Sequence, residues 1–448
     1  MTLSNHRLEQ LEKAFSGLKQ EFAKRNPLSL KASQEAARAL PGGNTRSVLF
    51  YEPFPLTMVS GQGAEVRDLD GHTYIDFVGE FSAGLYGHSE PIIKQAIIEA
   101  LECGIVLAAP NVLEARLAEA VQARFPSMER LRFCNSGTEA NILALVTARQ
   151  VTGRSKILVF DGAYHGGVLV FSKGGNPINI PFDYVIAPYN DYEATRSLIQ
   201  AHKDDLACVI VEPILGAAGN IPAERSFLEM LREETAKVGA LLIFDEVKTS
   251  RCGAGGIQGQ IGLTPDLTTL GKYLGGGLSS GAFGGRADIM DRFDPHRPDA
   301  FRHAGTFNNN VCSMAAGLAG LTRVFTPERA DAFLVECEAF RVRLNDEMVA
   351  RKVPLRFTGQ GSLFTMHLSP NGIRTAADVT PTSRRVGQFF HMYALLNGVA
   401  IASRGDFYQS LPMTDAHRQT LRNVLVSFVD KYAELLKALV DQEIRAAA

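Results

Sequence analysis

Lys272 ends an apolar-and-threonine run in the stretch TPDLTTLGKYLGGG, with glycines at 271 and 275–277 around it. An amine in that setting can form an imine with a carbonyl or carry a proton, and the glycines leave space around it; an ordinary lysine would simply point to water. Asp245 follows five apolar residues, Ala240 to Phe244. A carboxylate so placed is partly desolvated and needs a cation or strong donors. Glu212 follows Ala207–Val211 in the same way. In NSGTEA, residues 135–140, Ser136 and Glu139 fit a capping box that opens a helix. Read as a site, the same stretch is an anion cradle. It combines the free N–H groups of a first helical turn, a glycine at 137, and the hydroxyls of Ser136 and Thr138. In DGAYHGG, Tyr164 and His165 follow another apolar run, where an aromatic either packs or faces a ligand.

The elements that must position these groups are short apolar runs at Leu131–Cys134, Lys156–Phe160, Tyr184–Ala187, Ala207–Val211, Leu241–Phe244 and Leu267–Leu270. Helix-length segments separate them, the pattern of a parallel sheet covered on both faces. Ligands of such sheets lie beyond the carboxyl ends of the strands. The amine, the carboxylates, the aromatic and the anion cradle therefore share one rim. A phosphorylated pyridine aldehyde uses all of them, which points to pyridoxal 5′-phosphate, with lysine at the aldehyde and aspartate at the ring nitrogen.

The remaining sequence bounds the organisation. The chain has 448 residues, enough for one large domain and a smaller one. Residues 1–85 are expected to join the small domain, 86–335 to form the large cofactor-binding domain, and 336–448 to form the C-terminal small domain. Residues 5–40 read as helix, with Leu8, Leu11, Phe15 and Leu18 on one face, and AEVRDLDGHTYIDF reads as a hairpin turning at Asp70-Gly71. Net charge is 46 − 48 = −2, which gives no reason to expect a nucleic-acid partner or an anionic membrane surface. No run reaches the roughly 18 apolar residues of a membrane span, and MTLSNHRLEQ lacks a signal-peptide core. The six cysteines are at least 25 residues apart and the histidines show no HxxxH or HExxH spacing, so no metal ligand is expected. Free thiols fit a reducing cytoplasm.

From about residue 40 to the C-terminus the chain resembles a class III aminotransferase of the fold-type-I pyridoxal-phosphate enzymes. The phrases that carry the resemblance are NSGTEAN, YHGG, VIVEP, LLIFDEV, TPDLTTLGKYLGGG and HAGTFNNNVCSMAAGLAGL. The resemblance implies an α/β fold: a mostly parallel seven-stranded sheet between helices, plus a smaller α+β domain. It implies that Lys272 carries the cofactor and moves the proton, and that Asp245 pairs with the pyridine nitrogen. Val247 would pack on the ring face opposite Tyr164, Ser136, Gly137 and Thr138 would hold the phosphate, and Glu212 would support the ring region. Thr306 would reach the phosphate of the neighbouring subunit, so the active unit would be a homodimer with shared sites.

By the same phrases the chain is similar both to β-phenylalanine-type aminotransferases and to glutamate-1-semialdehyde aminomutases. Two arginines bear on the choice, because arginine holds carboxylates bidentately. Arg46 lies in GGNTRSVLFYEPFP and Arg404 in IASRGDFYQS. In the β-phenylalanine-type enzymes, the resemblance has it, the first segment takes the β-amino acid carboxylate and the second the carboxylate of the keto acid. The chain departs from the aminomutases at residues 401–410 and lacks a tryptophan near GEFSAGLYGH. The expectation is transfer of an amino group from an aromatic β-amino acid to 2-oxoglutarate or pyruvate by a ping-pong mechanism, with the aminomutase as the alternative. A non-catalytic ligand-sensing module is a remote third reading: the segment before residue 40 is too short for a winged-helix domain, and Lys272 and Asp245 are both present.

Overall fold

Val, Ile and Leu in unbroken runs must be covered on both faces, and the structure covers them. The computed structural model describes residues 3–172 and 175–447. Its central sheet has seven strands, in the spatial order Arg130–Cys134, Gly281–Gly285, Leu267–Gly271, Leu241–Asp245, Leu206–Val211, Lys156–Phe160 and Asp183–Ala187. The last five of these are parallel neighbours. Helices Tyr192–Ala201, Arg225–Val238 and Gly256–Ile261 connect successive parallel strands. Every residue of Leu206–Val211 and Leu241–Asp245 is buried, and full burial of one such aliphatic side chain is worth roughly 1.5–3 kcal/mol.

All six expected strands are present. The seventh, Gly281–Gly285, has the sequence GAFGG and runs antiparallel to both neighbours. Three glycines in five residues read as a loop. They are there because a Cβ at Gly281 would lie 2.3 Å from the Ser136 carbonyl oxygen, and one at Gly285 would lie 2.1 Å from that of Asp266.

The N-terminal helix is two helices, Leu3–Arg25 and Pro27–Ala36, split where Pro27 takes the first helical position. Leu11, Phe15, Leu18 and Phe22 pack into an apolar core that also holds Phe340, Phe389, Phe390 and Phe428, separate from the core of the central sheet. The hairpin at Gly71 is present, pairing Glu65–Asp68 with Thr73–Asp76. It belongs to a four-stranded sheet that includes Val399–Ala400. A three-stranded antiparallel sheet joins Leu355–Gln360, Leu363–Leu368 and Asp406–Tyr408. No described helix is long and apolar enough to cross a membrane.

Candidate active site

The carboxyl ends of the parallel strands and the loops of the second core enclose a cavity of about 660 Å³. At its inner end, helix Gly137–Thr152 begins with Ser136 as its cap, whose Oγ accepts the Glu139 N–H at 3.1 Å. The Glu139 carboxylate does not close the expected reciprocal box on Ser136; it accepts the N–H of Asn135 at 2.8 Å instead. The N–H groups of Gly137 and Thr138 lie in the first turn, where a helix offers them no partner and an anion is favoured. Two glycines bring other walls against this turn. A Cβ on Gly137 would lie 2.5 Å from Val247 Cγ1, and one on Gly166, at φ +133°, would lie 2.5 Å from Thr138 Oγ1.

Asp245 ends its strand 4% exposed. Its Oδ2 accepts from Asn141 Nδ2 at 2.8 Å and lies 2.7 Å from His165 Nδ1, and its Oδ1 accepts the Val247 N–H at 3.0 Å. A carboxylate offers about four acceptor positions, so one on Oδ1 has no partner among the described residues. Asn141 is itself fixed, with its Oδ1 accepting from Thr269 Oγ1 at 2.6 Å. Glu212 is also buried, accepting the Tyr164 N–H at 2.9 Å and the Gly216 N–H at 3.0 Å. Burial pushes its pKa up, against the pull of His165.

Lys272 is the first residue after strand Leu267–Gly271 and has φ +56°. A side chain in the left-handed region costs of order 1–3 kcal/mol and is held there by its surroundings. Among the described residues nothing hydrogen-bonds its ammonium. Burial lowers its pKa from the ordinary lysine value, opposed by the charges of Asp245 and Glu212. Tyr164 and Val247 both line the cavity beside it.

The outer wall is built differently. Arg46 pairs with Glu80 and its guanidinium stands 5.3 Å from the centre of the Phe81 ring. Arg404 pairs with Asp406 and stands 5.9 Å from the same ring. Glu80, Phe81 and Ser82 all have positive φ, at 46°, 53° and 80°. That left-handed turn costs roughly 1–2 kcal/mol per residue. It points Glu80 and Phe81 at the two arginines, which come from opposite ends of the chain. Thr306 does not line the cavity of its own chain. It is exposed, two residues before Asn308, whose Oδ1 accepts from Asn135 Nδ2 at 3.0 Å at the cavity rim.

The structure thus brings Ser136, Gly137, Thr138, Tyr164, Glu212, Asp245, Val247, Lys272, Arg46 and Arg404 to one cavity. Sequence reasoning missed Asn141, Thr269, Glu80, Phe81 and Lys248. A helix-interior asparagine and a threonine in an apolar strand signalled the first two. Nothing in the pattern marked the left-handed turn. Lys248 lines the cavity with Nζ donating to Asn220 Oδ1 at 2.6 Å, and burial brings its pKa down to about 7.

The cavity fits the group inferred from sequence: a helix start whose first N–H groups suit a phosphate, a buried carboxylate on Asp245 for a ring N–H, and an amine without a partner among the described residues. Comparison with known proteins agrees. Residues 50–428 match the model of the family Aminotransferase class-III. The chain is 48% identical to the β-phenylalanine transaminase of Variovorax paradoxus, over 95% of this chain and 98% of that one. It is 36% identical to glutamate-1-semialdehyde 2,1-aminomutase 2 of Exiguobacterium sibiricum, over 91% and 98%. The fold superimposes on the crystal structure of the β-phenylalanine aminotransferase from Variovorax paradoxus with a TM-score of 0.93 at 47% identity, covering 95% of this chain and 99% of the other. On a glutamate-1-semialdehyde aminomutase from Pseudomonas aeruginosa PAO1 in complex with PMP the TM-score is 0.86 at 25% identity, covering 97% and 99%. With the anion cradle, the aspartate and the lysine in place on this fold, the chain belongs to the class III aminotransferases and is a pyridoxal-phosphate-dependent transaminase.

Proposed function

We propose that this transaminase takes the amino group of a β-amino acid, aromatic and of the β-phenylalanine type, and passes it to 2-oxoglutarate or pyruvate in a ping-pong cycle. The observation that carries this reading is the placement of Arg46 and Arg404 over one ring, Phe81, at the outer wall. A β-amino acid holds its carboxylate one carbon further from its amine than an α-amino acid does. Two arginines on different segments offer two carboxylate positions, Arg46 for the β-amino acid and Arg404 for the keto acid, with Phe81 between them for an aromatic group. The β-phenylalanine transaminase at 48% identity supports the same choice.

Pyridoxal phosphate, when bound, supplies an aldehyde for the amino group and a protonated ring that withdraws electrons from the neighbouring C–H bond. The chain does the rest. Ser136, Gly137 and Thr138 hold the phosphate by N–H and hydroxyl donors. Asp245, steadied by Asn141 and His165, would hold the ring nitrogen. Tyr164 and Val247 confine the ring faces, and Glu212 ties the Tyr164 loop down through the backbone. Lys272 Nζ, whose pKa burial lowers, would be the group that holds and moves the proton of the substrate carbon. Thr306, exposed and close to the rim, completes the phosphate site of a second copy, so the unit is a homodimer with shared sites. Residues 1–85 act with 336–448 as the small domain over the large domain of 86–335. Free cysteines at all six positions support a cytoplasmic setting.

The test is an amino-donor panel with 2-oxoglutarate and pyruvate as acceptors. β-Phenylalanine is expected to give the highest kcat/KM. Should glutamate-1-semialdehyde be preferred and isomerised without an external acceptor, the aminomutase reading replaces this one.

A further inference from the structure

Lys248 has no part in the chemistry above, yet it is 8% exposed and sits in the cavity wall. Two chains of hydrogen bonds leave its amino group and meet again. On one side Nζ donates to Asn220 Oδ1 at 2.6 Å, Asn220 Nδ2 donates to Thr365 Oγ1 at 2.8 Å, and Thr365 Oγ1 donates to Asp406 Oδ1 at 2.7 Å. On the other side Nζ donates to the Tyr408 hydroxyl at 3.3 Å, and that hydroxyl donates to Asp406 Oδ2 at 2.8 Å. Every donor in both chains points the same way, from Lys248 to Asp406. Asn220, Thr365, Asp406 and Tyr408 are each no more than 2% exposed. Asp406 Oδ2 also accepts from Arg404 Nε. Arg404 is thus the one member of the assembly whose side chain remains partly open, at 32%.

The ring is built around the lysine. A Cβ on Gly216 would lie 2.9 Å from both Cδ and Nζ of Lys248, so a larger residue there would displace that side chain. The amine also stands 4.9 Å from the centre of the Tyr408 ring, against its face. Asp406 is held below its ordinary pKa against its own burial, by the charges of Arg404 and Lys248. Two basic side chains from different segments therefore converge on one buried carboxylate.

We propose that Lys248 is a positioning residue for Arg404: through Asn220–Thr365 and through Tyr408 it fixes both oxygens of Asp406, and so sets where the guanidinium offers itself to a substrate carboxylate. A carboxylate held at both oxygens cannot rotate, and the bond it gives Arg404 Nε keeps one direction. The consequence is selectivity for the acceptor, a dicarboxylic or monocarboxylic 2-keto acid. The inference rests on the reading of Arg404 as the keto-acid anchor.

The experiment is a double-mutant cycle of Lys248→Met and Arg404→Ala on the cofactor-loaded enzyme. It reads the dissociation constant of glutarate, a dicarboxylate that cannot react, by calorimetry. Arg404→Ala alone is expected to weaken glutarate at least tenfold; if it does not, the anchor reading of Arg404 fails and this inference falls with it. With Arg404 present, Lys248→Met is expected to weaken glutarate about tenfold; with Arg404 already alanine it should add less than twofold. Equal weakening in both backgrounds would show that Lys248 acts by itself and would overturn the proposal. So would no weakening in either. If Lys248→Met does not fold, Tyr408→Phe, which cuts one of the two chains and keeps the ring, replaces it in the cycle. Its expected effect is about threefold with Arg404 and none without.

Discussion

The inner and outer walls of the cavity are made by different means. The inner wall hangs on the ends of parallel strands. Asp245 is buried and held by Asn141, His165 and a backbone N–H, and the cap of helix Gly137–Thr152 is fixed by its own side chains. The outer wall hangs on loops. Arg46 and Arg404 are 42% and 32% exposed, and they flank a phenylalanine carried on a left-handed turn. A charge that must do the same work in every turnover is placed where nothing can move. The two arginines proposed to meet substrates of different length stand where their side chains still reach solvent. Glu80 pairs with Arg46 and Asp406 with Arg404, and Asp406 is itself held at both oxygens by Thr365 and Tyr408.

Changes in the inner wall should cost more than changes in the outer one. Lys272→Ala is expected to lower turnover by about 10,000-fold or more, since it removes both the attachment point and the proton carrier. Borohydride reduction followed by peptide mapping should place the cofactor on Lys272 in the parent enzyme, and labelling of another lysine would end that assignment. Asp245→Asn should keep the cofactor bound and lose roughly 100–1,000-fold in kcat, the usual loss on removing one preorganised electrostatic group. Asn141→Ala removes one donor to Asp245 and strands the Thr269 hydroxyl. About a tenfold loss of kcat is expected, measured beside the cofactor's absorbance, and an effect as large as that of Asp245→Asn would mean that Asn141 touches the chemistry itself.

The smallest effect is expected in the turn beneath the outer wall. Ser82 has φ +80°, and its buried hydroxyl finds no hydrogen-bond partner among the described residues. Ser82→Gly should therefore stabilise the protein by about 1 kcal/mol, the relief of one left-handed side chain. A thermal melt that falls instead would mean the turn is not strained at that residue.

The same contrast decides how much the sequence reveals. Strand ends announce themselves, because a lone Asp or Lys directly after a buried run must meet a partner or a ligand. Asp245, Lys272 and the Ser136 cap are legible for that reason. The strand Gly281–Gly285 is not, because its glycines answer to backbones of Ser136 and Asp266 that only the fold brings near. Asn141 shows in the sequence only as a polar residue inside a helix; its meaning is its distance from Asp245. Arg46 and Arg404 lie 358 positions apart by number (404 − 46), and only their resemblance to known segments marks them in the sequence. Their convergence on Phe81 depends on a left-handed turn that no propensity favours. Lys248 is the extreme case, a lysine next to an apolar strand whose ring of partners comes from three separate segments.

The most direct test of the division between the walls is single-turnover mixing of each half-reaction, followed by the cofactor's absorbance, in Arg46→Ala and Arg404→Ala. Each variant loses a carboxylate anchor worth about 1.5–3 kcal/mol. Arg46→Ala should weaken the β-phenylalanine half-reaction by roughly 10–100-fold and leave the 2-oxoglutarate half nearly as it was, and Arg404→Ala should do the reverse. Equal losses in both halves for both variants would contradict the account.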